Sequence, residues 1–251
     1  MAEGVHLMSV RRILEETITL RPVHLTLIDP AKQSAERAKE IAGTADQLGS
    51  DGFLIGGSSH ISQSNLSATL SAVKEVSKKP VIFFPGQDKA FCLGFDAILF
   101  LSLLNSRNVD YVIRFQAQSV LLLRQLGIEI IPTGYLIISP GMRVGELGEA
   151  DLLKRDDVWT ASGYAAASEM MGMKYLYLEC GSGSPMPVPP EFVRSVKKNI
   201  SIPVIVGGGI RTPIEASQLV AAGADIVVTG TVVEKKNYKR NLSDIITAVK
   251  G

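Results

Sequence analysis

One run of this chain, Tyr177-Leu178-Glu179-Cys180-Gly181-Ser182-Gly183, places a carboxylate at the end of an apolar strand and a glycine-serine loop directly after it. Such a loop offers backbone N–H groups and a hydroxyl to a phosphate. The carboxylate can accept a proton or orient a hydroxyl. Together they suit chemistry on an alcohol that carries a phosphate. Tyr177 and Glu179 are two apart on a strand and face the same way. Tyr177 alone reads as a core aromatic, and Glu179 alone as a strand-end ion pair. An acid directly ahead of Gly-Ser-Gly favours the functional reading.

Two more glycine turns, Gly207-Gly208-Gly209 and Gly230-Thr231, lie 23 positions apart, each after a short apolar strand. Glycine lets backbone approach an anion closely, with unsatisfied N–H groups pointing at it. Arg211 follows the first turn, and its position at a helix start reads as a surface or ion-pairing residue. Asp29-Pro30 closes the first strand. Asp29 reads equally as a turn former and as an oxygen ligand for a hard cation, with the Ser58 hydroxyl at the next strand end as a second ligand. His24 and His60 have no catalytic partner at a useful spacing, and read as structural or solvent-facing.

The elements that position these residues alternate along the chain. Apolar runs at 23–28, 52–55, 81–84, 97–101, 128–131, 174–179, 204–206 and 225–229 read as strands, mostly continuous as in parallel sheets covered on both faces. Helical patterns occupy 34–48, 66–77, 112–126, 159–171, 191–197, 213–222 and 242–249, and an amphipathic pattern precedes the first strand. Eight strands with helices between them predict an α/β fold, a (β/α)8 barrel, with a doubly wound sheet as the alternative. No linker divides residues 1–251, so one domain is expected. Segment 85–96 is too short for a full crossover helix, which leaves the barrel open or thinned there. Segment 133–157 is irregular, with 135–138 able to extend the fifth strand. In such a barrel the site lies at the C-terminal strand ends, and glycine turns after strands seven and eight are its common phosphate site.

Composition narrows the classes. The 251 residues are 46% hydrophobic with a net charge of +1 and 6% aromatic content, which gives no field or stacking surface for nucleic acid. Two cysteines, Cys92 and Cys180, fit a reducing, cytoplasmic setting rather than a disulfide scaffold. No signal peptide is visible, and the apolar runs are too short to span a bilayer. No carboxylate ends the fifth strand, so the pair of opposed aspartates expected of a sugar-phosphate isomerase is missing. No lysine is placed for Schiff-base chemistry, and no cysteine or serine has a histidine partner.

Nearly the whole chain resembles the geranylgeranylglyceryl phosphate synthase family, which includes bacterial heptaprenylglyceryl phosphate synthases. The likeness rests on His24-Leu25-Thr26-Leu27-Ile28-Asp29-Pro30, Ile55-Gly56-Gly57-Ser58, Phe84-Pro85-Gly86, Phe100-Leu101-Ser102-Leu103-Leu104-Asn105-Ser106, Ile131-Pro132-Thr133-Gly134-Tyr135, the run from Tyr177 to Gly183, Val206-Gly207-Gly208-Gly209-Ile210-Arg211 and Thr229-Gly230-Thr231. The Leu-Glu-x-Gly-Ser-Gly loop and the Asn-Ser segment are more similar to the archaeal branch. The chain departs from the pattern at Thr231, where Asn is common, and at Cys180, where a small or aromatic residue is common.

The resemblance implies a TIM barrel whose third helix is replaced by a strand or loop. It implies transfer of a prenyl group from geranylgeranyl diphosphate to the C3 hydroxyl of sn-glycerol 1-phosphate, with diphosphate released. It places Mg2+ on Asp29 and Ser58. It places glycerol 1-phosphate on Tyr177, Leu178, Glu179, Cys180, Gly181, Ser182, Gly183, Gly207, Gly208, Gly209, Gly230 and Thr231, with Glu179 and Tyr177 catalytic. It also implies a homo-oligomer, dimer or hexamer. A lipid product implies work near a membrane without insertion. The prenyl groove is expected on the thinned side, near Phe83, Phe84, Phe91, Leu93 and Phe95. Two competing readings remain: a generic sugar-phosphate isomerase or aldolase barrel, active without metal or prenyl donor, and a barrel that only carries a ligand.

Overall fold

A computed structural model describes residues 9–57, 60–86 and 90–251. Eight parallel strands, β1 (Val23–Ile28), β2 (Gly52–Gly56), β3 (Val81–Phe84), β4 (Ala97–Leu103), β5 (Glu129–Ile137), β6 (Tyr175–Glu179), β7 (Val204–Gly207) and β8 (Ile226–Thr229), pair in sequence order. β8 returns to β1, with Leu25 opposite Val228. Closure rules out the doubly wound sheet and corrects the expectation of an open side. The barrel is thinned instead. β3 and β4 share only the pairs Ile82–Ala97 and Phe83–Ile98, and among the described residues no helix lies between them. Phe91 and Phe95 fold back onto Phe83 in the helix's place, with ring centroids 5.7 and 5.0 Å away.

The remaining crossovers carry helices. α2 (Ala35–Gln47) and α3 (Gln63–Val76) follow β1 and β2. After β4 a π-helical turn, Asp110–Arg114, leads into α4 (Phe115–Gln125), where the sequence pattern gives one continuous helix. The irregular segment holds a short α5 (Met142–Leu147) before α6 (Val158–Met170), and α7 (Pro190–Lys197), α8 (Pro213–Ala221) and α9 (Tyr238–Lys250) complete the ring. Ahead of β1, α1 (Val10–Ile18) closes the barrel floor. Glu129 at the start of β5 accepts bonds from Ser9 Oγ and Val10 N, both at 2.6 Å, and from Arg11 N at 3.1 Å. A carboxylate there satisfies free N–H groups and complements the positive end of the helix dipole.

Alternation along the strands sorts side chains into two cores. Leu25, Leu54, Ile82, Leu99, Tyr175, Tyr177 and Val228 pack inside the barrel, with Val10 and Leu14 of α1 beneath. Phe53, Ile55, Leu176, Leu178 and Val206 face the surrounding helices. Each fully buried large aliphatic side chain contributes roughly 1.5–3 kcal/mol. The interior rings hold the strand ends in fixed relation, and the site is built on those ends.

Candidate active site

The strand register decides which side chains meet at the top of the barrel. β5 runs to Ile137, so Tyr135 lies opposite Tyr177 and Ile137 opposite Glu179. Glu179 is 6% exposed. It accepts a bond from Gly181 N at 2.6 Å and further bonds from the hydroxyls of Tyr177 and Tyr135. Burial outweighs these donors and pushes its carboxyl up to about 7. Burial and the nearby carboxylate push both tyrosines well above the usual phenol range, so both stay protonated donors. A carboxylate balanced between its two protonation states near neutral pH, in a fixed frame of donors, can take a proton from a substrate hydroxyl.

The glycines around Glu179 make room for it. A Cβ on Gly208, at φ +81°, would lie 2.1 Å from Glu179 Oε1. A Cβ on Gly207 would lie 2.2 Å from the Tyr177 hydroxyl, and one on Gly209 would lie 2.3 Å from Met186 O. The turn after β6 is tied to the turn after β8, since Gly183 N donates to Thr231 Oγ1 at 3.2 Å and Ser182 Oγ lies 3.4 Å from the same oxygen. Arg211 braces the loop from behind by donating to Gly183 O at 2.9 Å and Pro185 O at 3.0 Å. Its position at a helix start gave no sign of this loop-bracing role. α8 follows the β7 turn with a full capping box of Thr212 and Glu215 and with Pro213 in its first turn. After β8 the chain makes turns, and α9 begins only at Tyr238.

Asp29 stands across the mouth. Its Oδ1 accepts from Ala31 N at 2.9 Å, the turn-forming role, and its Oδ2 lies 4.0 Å from Lys32 Nζ. A Cβ on Gly57 would lie 2.6 Å from that Oδ2, so glycine keeps the carboxylate open toward the cavity that both residues line. Among the described residues no three His, Cys, Asp or Glu side chains group to hold a metal. A hard cation held at Asp29 would have to take most of its oxygen ligands from phosphates and water. Ser58 lies outside the described residues. Lys32 reaches Glu234 at 2.8 Å and Ser182 Oγ at 3.4 Å, so it links the rims of β1, β6 and β8.

One cavity of about 640 Å³ joins these groups, a size ordinary for a ligand site. Its polar end is lined by Asp29, Gly57, Glu179, Ser182, Gly208, Gly209, Gly230 and Thr231. Its apolar arm leaves the barrel over the thinned side, past Phe84 to Phe83, Phe91, Ile98, Phe100, Leu122 and Leu123. An apolar arm thus lies on the side where the prenyl groove is expected, but not wholly on the expected residues. Leu93 is 67% exposed and Phe95 is packed in the core, and neither lines the cavity. The floor comes from α4 and β4.

Of the remaining expected residues, Tyr177 lines the cavity one layer below Glu179. Leu178 and Cys180 point into the outer core and do not line it. Alternation with Tyr177 and Glu179 already signals this. Gly181, Gly183 and Gly207 stand behind the wall and act through backbone placement. Burial pushes the Cys180 thiol up to about 12, with Arg155 Nη1 3.6 Å away, so it is an inert packing group. His24 is structural. It is fully buried between Ser50 Oγ at 3.1 Å and Thr229 Oγ1 at 2.9 Å, and burial lowers it to about 3.

Residues 12–250 match the PcrB family. The chain is 46% identical over 243 residues to the geranylgeranylglyceryl phosphate synthase of Picrophilus torridus, covering 96% of this chain and all of that one. A crystal structure of (S)-3-O-geranylgeranylglyceryl phosphate synthase from Thermoplasma acidophilum, in complex with its substrate sn-glycerol-1-phosphate, superposes with a TM-score of 0.95. It is 41% identical, covering 97% of this chain and 99% of that one. The wild-type enzyme from Thermoplasma volcanium gives a TM-score of 0.93 at 41% identity, covering 97% and 98%.

Proposed function

The chain belongs to the PcrB family, and on that premise we propose that it transfers a geranylgeranyl group to the C3 hydroxyl of sn-glycerol 1-phosphate. The product is the first ether bond of an archaeal-type membrane lipid, and diphosphate is released. The observation that carries this reading is the single cavity in which Glu179 stands between a glycine-lined polar end and a long apolar arm. A sugar-phosphate isomerase or aldolase has no use for that arm. A mere carrier has no use for a buried carboxyl held near 7.

The acceptor's phosphate sits on the turns Gly208-Gly209 and Gly230-Thr231 and on Ser182, which turns its C3 hydroxyl toward Glu179. Fixing the acceptor in this way can supply up to roughly 7–11 kcal/mol of the barrier. The ionised Glu179 takes the hydroxyl proton, a step worth about 10²–10⁴-fold. Tyr135 and Tyr177 hold the carboxylate in place and stabilise its charge. Asp29 would hold Mg2+ against the donor's diphosphate, where the ion, when bound, neutralises the leaving group's charge as a Lewis acid. The apolar arm takes the prenyl chain and keeps water from the reacting carbon.

No helix is long and apolar enough to cross a membrane among the described residues. Exposed apolar side chains on α4, including Leu121 and Leu122 beside the arm, support release of the lipid product at a membrane surface without insertion. A second apolar group, Trp159, Met170 and Met171 on and after α6, supports assembly into a homo-oligomer, which light scattering measures. The test of the reaction is incubation of labelled sn-glycerol 1-phosphate with Mg2+ and prenyl diphosphates of graded length. Label should pass into organic solvent, with the geranylgeranyl donor preferred. Label left in water with every donor overturns the reading.

A further inference from the structure

At the end of β1 the chain turns back on itself. Lys32 N and Gln33 N both donate to Asp29 O, at 3.0 and 3.1 Å, and Asp29 N donates to Gln33 Oε1 at 3.1 Å. The turn keeps the Lys32 side chain beside Asp29 at the cavity rim. Its Nζ donates to Glu234 Oε1 at 2.8 Å and to Ser182 Oγ at 3.4 Å, and lies 4.0 Å from Asp29 Oδ2. Ser182 Oγ is in turn 3.4 Å from Thr231 Oγ1. Asp29, Ser182, Thr231 and Glu234 all line the polar end of the cavity. One ammonium group thus stands among side chains from the turns after β1, β6 and β8. Asp29 belongs to the part proposed for the donor's diphosphate, and Ser182 and Thr231 to the part proposed for the acceptor's phosphate. Lys32 lies between the two.

The surrounding charge gives this cation a task. Among the described residues the charged groups lining the cavity are Asp29, Glu179 and Glu234, all acidic, and no Lys, Arg or His lines it. Arg211 is engaged with the carbonyls of Gly183 and Pro185. Two phosphate-bearing substrates brought into such a wall repel it and each other. The bond that Lys32 makes to Glu234 is replaceable. The two side chains are 36% and 28% exposed, and an ion pair so open to water is weak. Glu234 is the fixed member, because Val233 N donates to Gly230 O at 3.0 Å and Arg37 Nη2 donates to the flanking carbonyls of Val233 and Lys235, at 3.4 and 3.2 Å. Lys32 is the movable one, a point charge on a flexible stem. Phosphate oxygens, carrying more charge than one carboxylate, are the stronger partner. Resting on the prenyl-transfer reading, we propose that Lys32 is a substrate-binding residue that leaves Glu234 as the site fills and bridges the acceptor's phosphate and the donor's diphosphate. Glu234 holds the ammonium at the mouth of the empty site and takes it back when diphosphate departs.

An ion pair that only braced the loops would give the same result when broken from either side, so the test breaks it from both. KM for sn-glycerol 1-phosphate and for geranylgeranyl diphosphate is measured for wild type, Lys32→Met, Glu234→Gln and the double variant, with the melting temperature of each. Lys32→Met should raise both KM values by about tenfold or more, and Lys32→Arg should recover most of the loss. Glu234→Gln should lower both by about twofold to fivefold, because the competitor for Lys32 is gone. That gain should vanish in the Lys32→Met background. Calorimetry then tests the bridge itself. Inorganic pyrophosphate with Mg2+ should tighten the binding of sn-glycerol 1-phosphate to wild type, and should fail to do so in Lys32→Met. KM values unchanged by Lys32→Met, or not lowered by Glu234→Gln, overturn the proposal while ether formation by wild type leaves prenyl transfer intact. Coupling that persists in Lys32→Met overturns the bridge. Wild-type protein that forms no ether overturns the prenyl-transfer reading and the role of Lys32 with it.

Discussion

Replacing Glu179 by Gln should slow turnover by about 10²–10⁴-fold and make the protein more stable, and the size of the second effect depends on pH in a calculable way. In the fold the Glu179 carboxyl ionises at about 7, against 4.5 for an ordinary glutamate, chiefly because it is buried. The values differ by about 2.5 pH units, and at ~1.4 kcal/mol for each the ionised form costs the fold about 3 kcal/mol. Below pH 4.5 both folded and unfolded chains hold the proton, and there is no cost. Between 4.5 and 7 the unfolded chain has released its proton while the fold retains it, so stability falls as pH rises. Above 7 the cost is complete and constant. Gln keeps the acceptor that Gly181 N needs, and the Tyr135 and Tyr177 hydroxyls can rotate to accept from its amide. The variant should therefore exceed wild type by about 1 kcal/mol at pH 5.5 and about 3 kcal/mol at pH 8.5. His24, buried and neutral, costs stability as pH falls below 6.5, but it does so in both proteins and cancels. Urea unfolding at the two pH values measures the difference. Equal gains at both pH values, or a variant no more stable than wild type at pH 8.5, would refute the account of Glu179 as a carboxyl strained by burial.

The same carboxyl should govern the rate, so kcat/KM with saturating metal should rise with pH through a midpoint near 7 and level off above it, as a steady-state pH profile reads. Gly208→Ala forces a Cβ to 2.1 Å from Glu179 Oε1 at φ +81°, and should lower kcat by about 10²-fold or more while circular dichroism stays unchanged. Asp29→Asn should raise the Mg2+ concentration needed for half-maximal rate by about tenfold or more, with the KM for glycerol phosphate unchanged, in a metal titration. Ile98→Trp fills the deep part of the apolar arm, and competition between donors should show geranylgeranyl diphosphate losing to a shorter one.

Much of this was legible in the residue order for physical reasons. Parallel strands covered on both faces must be continuous apolar runs, which is why all eight could be found. Glu179 stood out because a carboxylate at the end of such a run has no packing purpose. The glycine turns stood out because only glycine allows backbone so close to its surroundings, as Gly208 does beside Glu179. What escaped depended on contacts remote in sequence. The fifth apolar run ends at 131, yet β5 continues through Pro132 and Gly134 to Ile137 because β4 and β6 pair with it. That extension, read in the sequence as possible at 135–138, carries Tyr135 to Glu179, and the contact between the two strands is what no local pattern announces. Arg211 gained its role only from a loop 26 to 28 positions earlier. The floor of the apolar arm likewise needed the placement of α4 against β4.

In the proposed reaction Glu179 deprotonates the C3 hydroxyl of glycerol 1-phosphate as it is alkylated. Product analysis by mass spectrometry and NMR, after wild type and Glu179→Gln are given geranylgeranyl diphosphate, sn-glycerol 1-phosphate and Mg2+, tests it most directly. A 3-O-geranylgeranyl ether is expected from wild type, with a rate lower by about 10²–10⁴-fold from the variant and unchanged binding of glycerol phosphate. An ether at C2, free prenol in place of ether, or near-normal turnover by Glu179→Gln would contradict it.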